Sequence, residues 1–148
     1  MRVIQALTLG AALLATTAAA SFAGDADVVK YRQKNMEIMG AHMNSIAAIV
    51  KGDVTNKDQL EAHAKGLSAA AVMAPGAFKT QAQTSESTAK PDVWADWAKV
   101  EAGFESLRTK ADALAVAAAA GDQAAIGAAV GDIGKSCKSC HDNFRVKK

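Results

Sequence analysis

Cysteine, proline and aromatic residues are scarce in this chain of 148 residues. It has two cysteines and two prolines, and aromatic side chains make up 5% of it. Both cysteines lie in one short motif near the C-terminus, which leaves none for a structural disulfide. Half of the residues are hydrophobic, and the abundance of alanine among them favours packed helices over a β-sheet. The composition therefore predicts one all-α domain.

The chain also lacks a strong excess of either charge. Its formal net charge is +2, and neither a basic cluster nor a long acidic run stands out. A basic surface is the usual mark of a nucleic-acid-binding protein, and an acidic run is the usual mark of a disordered tail. We therefore expect no nucleic-acid partner and only weak electrostatic steering of other partners.

The first 23 residues have the pattern of a secretory signal peptide. Arg2 supplies a short basic region, residues 3–20 are uncharged and apolar, and Ser21-Phe22-Ala23 offers small residues for cleavage after Ala23. A retained membrane anchor is the alternative, although the alanine and threonine content makes this segment weakly hydrophobic. We expect residues 1–23 to be the signal peptide, residues 24–148 to form the mature domain without a membrane span, and the protein to be periplasmic.

The stretch Cys137-Lys138-Ser139-Cys140-His141 carries the clearest chemistry. Two cysteines three positions apart on a helix place their sulfur atoms about one turn apart, where they can form thioethers with the two vinyl groups of one haem. The adjacent His141 can then bind the iron. A thioredoxin-like dithiol or a zinc site would need a βαβ setting or four ligands, respectively. The motif therefore predicts one covalently bound haem c.

Capping and turn signals divide the mature chain into four helices. The first runs from Asp25 to Lys51 and ends at Gly52, and the second begins after the candidate cap Asn56. Pro75, Gly76 and a polar cluster then predict a long connection over residues 74–90. Pro91 opens the third helix, which stops at Gly121, and Asp122 caps the fourth. The expected fold is an antiparallel four-helix bundle with haem in its core.

Hydrophobic periodicity predicts which faces of these helices point inward. In the first helix the expected inward positions are Val29, Arg32, Met36, Gly40, Met43, Ala47 and Val50. Arg32 on such a face needs an anionic partner, for which a haem propionate is a candidate, and Gly40 leaves room for a flat group. The third helix shows the seam Val93, Trp97, Val100, Phe104, Leu107, Ala111 and Leu114, and the fourth shows Ile126, Val130, Ile133, Cys137, Cys140 and Phe144.

The sequence resembles the class II c-type cytochromes, which comprise the cytochrome c prime family and its low-spin, methionine-ligated relatives. The resemblance covers the whole mature chain. It rests on the haem motif near the C-terminus, on the runs Tyr31-Arg32-Gln33 and Pro91-Asp92-Val93-Trp94, and on Cys-Lys-Ser-Cys-His-Asp-Asn-Phe-Arg at residues 137–145. It implies that Cys137 and Cys140 form the thioethers, that His141 is the proximal iron ligand, and that Arg32, Gln33 and Arg145 contact the haem or its propionates.

Met36, four residues after Arg32, occupies the position that separates the two groups of relatives. A methionine that binds the iron there gives a six-coordinate electron carrier. A methionine that only packs beside the haem leaves an iron position open to nitric oxide or carbon monoxide. The sequence favours a periplasmic electron-transfer protein with His141 and Met36 as iron ligands, and it leaves the gas-binding protein as the alternative.

The same reasoning predicts no enzymatic activity and no catalytic residues. A peroxidase would need a distal acid–base group, and His42 lies nearly two turns beyond Met36. The expected partners are redox proteins and a second copy of this chain. The homodimer is expected from the resemblance and from a second apolar stripe on the first helix, formed by Val28, Met39, Ile46 and Ile49.

Overall fold

The computed structural model describes residues 24–147, so the predicted signal peptide and its cleavage point lie outside the described residues. The described part of the chain is helical and contains no named strand. A short 3₁₀ helix at Lys57–Gln59 precedes the second α-helix. The five α-helices are α1 Asp25–Lys51, α2 Leu60–Lys79, α3 Asp92–Ala95, α4 Trp97–Ala120 and α5 Gln123–Phe144.

The four long helices form a four-helix bundle, which confirms the predicted fold class. Neighbouring helices pack extensively in the pairs α1 with α2, α2 with α4, and α4 with α5. In contrast, α1 and α5 make few direct contacts with each other. The bundle is therefore closed along three of its seams and open along the fourth.

Helix α1 has the predicted bounds because strong local signals mark both ends. Asp25 and Asp27 lie in its first turn, where negative charge interacts favourably with the helix dipole. Gly52 adopts the left-handed conformation with φ 81°, and its N–H bonds to helical carbonyl groups. A residue with a Cβ atom would be strained in that conformation.

The buried face of α1 matches the expected one only in part: Val29 and Arg32 are buried as predicted. Met39, Ile46 and Ile49 belong to the core of the bundle, and Ile46 is completely buried. Val50, which was expected to face inward, is 39% exposed. The stripe that suggested a dimer surface is thus largely covered within one chain. That part of the argument for a homodimer was wrong because two apolar stripes lie side by side on α1, and α2 packs against the second.

Helix α2 continues beyond its predicted end. It passes through Pro75 and ends at Lys79, so the connection to the next helix starts at residue 80 and not at residue 74. Proline inside a helix costs about 3 kcal/mol because it removes one backbone hydrogen bond and crowds the preceding turn. Burial of Ala74, Ala77 and Phe78 offsets this cost, since all three extend the apolar face of the helix into the core.

The predicted third helix is divided in two. Asp96, with φ −118° and ψ 46°, leaves the helical conformation and separates the short α3 from α4. The buried seam on either side is nevertheless the predicted one: Val93, Val100, Phe104, Leu107, Ala111 and Leu114 are buried, and Trp97 is half-buried. None of the helices within residues 24–147 has the length and hydropathy of a membrane-spanning segment.

Candidate haem-binding site

Helix α5 holds the cysteine motif rigidly against the rest of the bundle. Its first turn is capped by the carboxylate of Asp122, which accepts a hydrogen bond of 3.0 Å from the N–H of Ala125. Ile126, Ile133 and Phe144 are buried and anchor the helix along its length. The cysteines therefore project from a fixed helix and not from a mobile loop.

A cavity of about 990 Å³ lies beside the motif, where α1 and α5 diverge. The structure brings every residue that the sequence predicted for the haem to the lining of this one cavity. These residues are Arg32, Gln33, Met36, Cys137, Cys140, His141 and Arg145. Arg32, Gln33 and Met36 come from α1, and the other residues come from α5 and the residue that follows it.

Arg32 is the most unusual group in the lining, since it is charged and only 3% exposed. One of its terminal nitrogens, Nη2, donates to the carbonyl of Ala82 at 2.8 Å and to the hydroxyl of Ser87 at 3.2 Å. The guanidinium carbon lies 5.4 Å from the ring centroid of Phe78 and 5.1 Å from that of Trp94. Aromatic faces at this range attract a cation. The other nitrogen, Nη1, is buried and has no hydrogen-bond partner among the described residues.

The connection between α2 and α3 forms one edge of the cavity. Pairing with the C-terminal segment holds it in place: the N–H of Lys90 donates to Phe144 at 2.9 Å, and that of Val146 donates to Thr88 at 2.8 Å. On the other side, Gln33 Nε2 donates to the carbonyl of Glu86 at 2.8 Å. The connection therefore links α1 to the end of α5 across the mouth of the cavity.

Sequence reasoning missed many residues of this lining, among them Ser87, Lys99 and Phe104. Phe104 was identified as part of the core, but not as part of a site. The polar residues around Ser87 predicted irregular structure only. Their sequence does not indicate which part of the protein the segment packs against. Lys99 adds a positive charge to those of Arg32 and Arg145 around the cavity.

The protonation states of the motif suit haem binding. Burial raises the pKa of both Cys137 and Cys140, so both remain neutral thiols at neutral pH. Desolvation of the ring, together with the positive charge of Arg145, lowers the pKa of His141. The imidazole of His141 is therefore neutral at pH 7, which is the form that binds iron.

These residues fit a haem c. The unpartnered Nη1 of Arg32 requires a buried acceptor, and a propionate carboxylate would satisfy it with a charge-assisted hydrogen bond. Gly40 and Gly103 both line the cavity, and a Cβ atom added to either would meet nothing within 4 Å. At these two positions neither α1 nor α4 fills the cavity with a side chain. Two thiols and a neutral imidazole stand at the edge of that space.

Comparisons with known proteins agree with this site. A family model described as Cytochrome C' matches residues 27–145. The chain belongs to the cytochrome c′ family. It is 34% identical over 128 residues to the cytochrome c′ of Alcaligenes xylosoxydans, an alignment that covers 86% of this chain and 99% of the relative. It is 32% identical over 147 residues to that of Rhodospirillum rubrum, covering 99% of this chain and 97% of the relative.

Solved structures of this family show the same fold. The recombinant native cytochrome c′ from Alcaligenes xylosoxidans superposes with a TM-score of 0.76 at 33% identity, covering 86% of this chain and all of that chain. A ferrous variant of the same protein with bound nitric oxide also gives a TM-score of 0.76, at 32% identity and with the same coverage. Cytochrome c′ is itself a standard example of an up-and-down four-helix bundle.

The two remaining histidines lie outside the cavity lining. They stand 21 positions apart, which is not the spacing of a zinc-finger pair, yet their rings face each other across α1 and α2. The register between two packed helices, which brings the rings together, is not visible in residue spacing. His42 is half-buried and lies within hydrogen-bonding distance of His63.

Proposed function

We propose that this protein binds one haem c and transfers electrons in the periplasm. Thioethers to Cys137 and Cys140 would hold the haem, with His141 as one iron ligand and Met36 as the other. The observation that carries this proposal is the cavity whose lining contains all of these residues together with the unpartnered nitrogen of Arg32. A bound haem would supply the Fe(III)/Fe(II) couple.

Residues of the chain would bind the haem and set its reduction potential. Arg32 would pair with a propionate, and its buried position makes this hydrogen bond strong. Met36 lies four residues further along α1, about 6 Å along the helix axis, and it lines the same cavity as the cysteine motif. Its thioether would serve as the second iron ligand beside His141. Such a ligand raises the reduction potential, as it does in other cytochromes c.

Binding of nitric oxide or carbon monoxide at an open iron position is the second candidate function. The specific observation in its favour is the solved structure of a related cytochrome c′ variant with bound nitric oxide. Met36 is half-buried, and Met39 and Met43 also line the cavity. Methionine adapts readily to irregular spaces. In this alternative, all three methionines pack around the haem and none binds the iron.

We propose no enzymatic activity, because among the described residues no histidine of α1 lines the cavity. His42, the histidine of α1, makes its hydrogen bond to α2 instead. A peroxidase needs a positioned general acid or base within reach of the iron-bound substrate. The orientation of His42 therefore supports a protein that exchanges electrons or binds gas without further chemistry.

The two candidate functions are separated by replacing Met36 with leucine in the haem-loaded protein. If Met36 binds the iron, the wild type is low-spin, and Met36→Leu becomes largely high-spin with a lower reduction potential. Met43→Leu is the matched control, since Met43 is also half-buried and lines the same cavity. Magnetic circular dichroism and carbon monoxide binding measure the change. A high-spin wild type that binds carbon monoxide readily would contradict electron transfer through a Met36-ligated iron and support the second candidate.

We further propose that the partners are redox proteins and a second copy of this chain. Exposed apolar side chains remain on the outer surfaces of α1 and α2, among them Tyr31, Ile38, Val72 and Met73. Contact between such surfaces in two copies would bury them. Analytical ultracentrifugation of the haem-loaded protein at micromolar concentration tests this, and a monomer alone would contradict the homodimer.

A further inference from the structure

His42 on α1 and His63 on α2 form a close pair outside the haem cavity. Their Nδ1 atoms lie 3.2 Å apart, and the ring centroids are separated by 5.5 Å at an angle of 65°. Both side chains are half-buried. A neutral pair at this distance shares one hydrogen, donated by one Nδ1–H to the lone pair of the other Nδ1.

Gly66 fixes the position of the His42 ring. A Cβ atom at residue 66 would lie 2.3 Å from Cε1 of His42, 2.5 Å from Nε2 and 2.9 Å from Nδ1. These distances are far shorter than van der Waals contact, so the ring occupies a notch that only glycine leaves open. Because α2 holds both this notch and His63, the two imidazoles are kept facing each other by the helix itself.

The spacing of the two nitrogens matches that of two ligands on one metal ion. Zinc binds imidazole nitrogen at about 2.0–2.1 Å, which separates two such nitrogens by about 2.9 Å at a right angle and about 3.4 Å at a tetrahedral angle. The observed 3.2 Å lies between these limits. Burial and the nearby His63 lower the pKa of His42, which favours the neutral imidazole that a metal requires.

We propose that His42 and His63 form a two-histidine site for a divalent transition-metal ion, distinct from the haem iron. The metal replaces the shared hydrogen: the ring that carried it on Nδ1 changes to the Nε2–H tautomer, and no net proton leaves the neutral pair. Among residues 24–147, no group of three or more His, Cys, Asp or Glu residues is placed to hold a metal. Water therefore completes the coordination, and Cu²⁺ binds more tightly than Zn²⁺ or Ni²⁺.

The site is tested on the haem-loaded protein with Cu²⁺ and Zn²⁺ salts as the probes. Isothermal titration calorimetry measures affinity and stoichiometry, and electron paramagnetic resonance of bound Cu²⁺ detects coupling to imidazole nitrogen. We expect one ion per chain with two imidazole ligands. His63→Asn should weaken binding by about 10–100-fold or more, since loss of a ligand costs at least as much as loss of its supporting partner.

Gly66→Ala tests whether metal binding depends on the position of the His42 ring, or only on the presence of two nearby histidines. It keeps both imidazoles but displaces the His42 ring, so we expect about a 10-fold loss of affinity. Gly76→Ala is the matched control on the same helix, because a Cβ atom there meets nothing within 4 Å. Thermal melting followed by circular dichroism checks that each variant is folded. Unchanged affinity in folded His63→Asn, or copper resonance without two imidazole nitrogens, would overturn the proposal.

Discussion

The seam between α2 and α4 and the gap between α1 and α5 are built from different kinds of residue. Along the first, small and branched apolar side chains are almost entirely excluded from solvent: Ala71, Ala74, Ala111 and Leu114. Along the second, Met36, Cys137 and Cys140 are only half-buried beside a cavity of about 990 Å³. The side chains of the α2–α4 seam fill it as in a protein interior, whereas those between α1 and α5 leave a cavity.

This difference shows where the bundle depends on a cofactor. Empty space inside a protein forfeits the van der Waals contacts of the atoms that line it. Away from the cavity, small alanine side chains allow α2 and α4 to approach closely, and the residues between them are buried. Between α1 and α5 the lining atoms gain their missing contacts only when a large flat group is present. We therefore expect changes in the two regions to differ in their dependence on haem.

The largest effect should come from removing both thiols. In Cys137→Ala/Cys140→Ala no thioether can form, so we expect complete loss of covalent haem and a protein of much lower thermal stability. Acid–acetone extraction checks the first point, since unbound haem passes into the organic layer. Ser139→Ala, which lies between the two cysteines and changes an exposed residue, is the control and should keep its haem. Haem that remains covalently bound in the double variant would contradict the assignment of the site.

A change in the α2–α4 seam should be large but independent of haem. Leu114 is completely buried, so Leu114→Ala should lower the free energy of unfolding by about 2–5 kcal/mol. Val116→Ala, two residues away and 71% exposed, should change it by less than about 0.5 kcal/mol. Urea denaturation of the haem-loaded protein measures both. If Leu114→Ala instead released or altered the haem, the two regions could not be treated as separate.

A smaller effect on the free energy of unfolding is expected at Arg32, the buried cation beside the cavity. Arg32→Met removes the hydrogen bonds to Ala82 and Ser87 as well as the group that would pair with a propionate. We expect a loss of about 1.5–3 kcal/mol in urea denaturation of the haem-loaded protein, the range for hydrogen bonds to charged groups. Arg108→Met is the control, because Arg108 forms surface ion pairs with Glu105 and Asp112, and such pairs contribute little. Equal losses in the two variants would contradict a special role for Arg32.

Much of the fold could be predicted because its signals are local. The end of α1 at Gly52, the end of α4 at Gly121 and the start of α5 at Asp122 each depend on one capping residue, and all three predictions are confirmed. The end of α2 could not be predicted in this way. Pro75 and Gly76 indicate a break, but burial of Phe78 against the rest of the bundle outweighs that signal.

The site was predictable to the extent that its residues share a chemical pattern. The cysteine motif and Arg32 could be identified from residue type and spacing, because a covalent haem needs two thiols near a histidine and a buried cation needs an anion. Ser87 and Lys99 could not, since they approach the cavity from segments whose positions depend on packing. Whether Met36 binds the iron stays a prediction for the spectroscopic test.

By itself, the sequence determined that this chain is an all-α protein with a haem motif on its last helix, since periodicity, caps and the motif are properties of neighbouring residues. Tertiary structure alone decided that Ile46 and Ile49 of one stripe of α1 join the core while Met36 and Met43 of the other line the cavity, because the packing of neighbouring helices determines what each stripe contacts. It also decided that His42 meets His63 over Gly66. Such contacts depend on the register of two helices, which is set by the fit of many side chains along their whole interface.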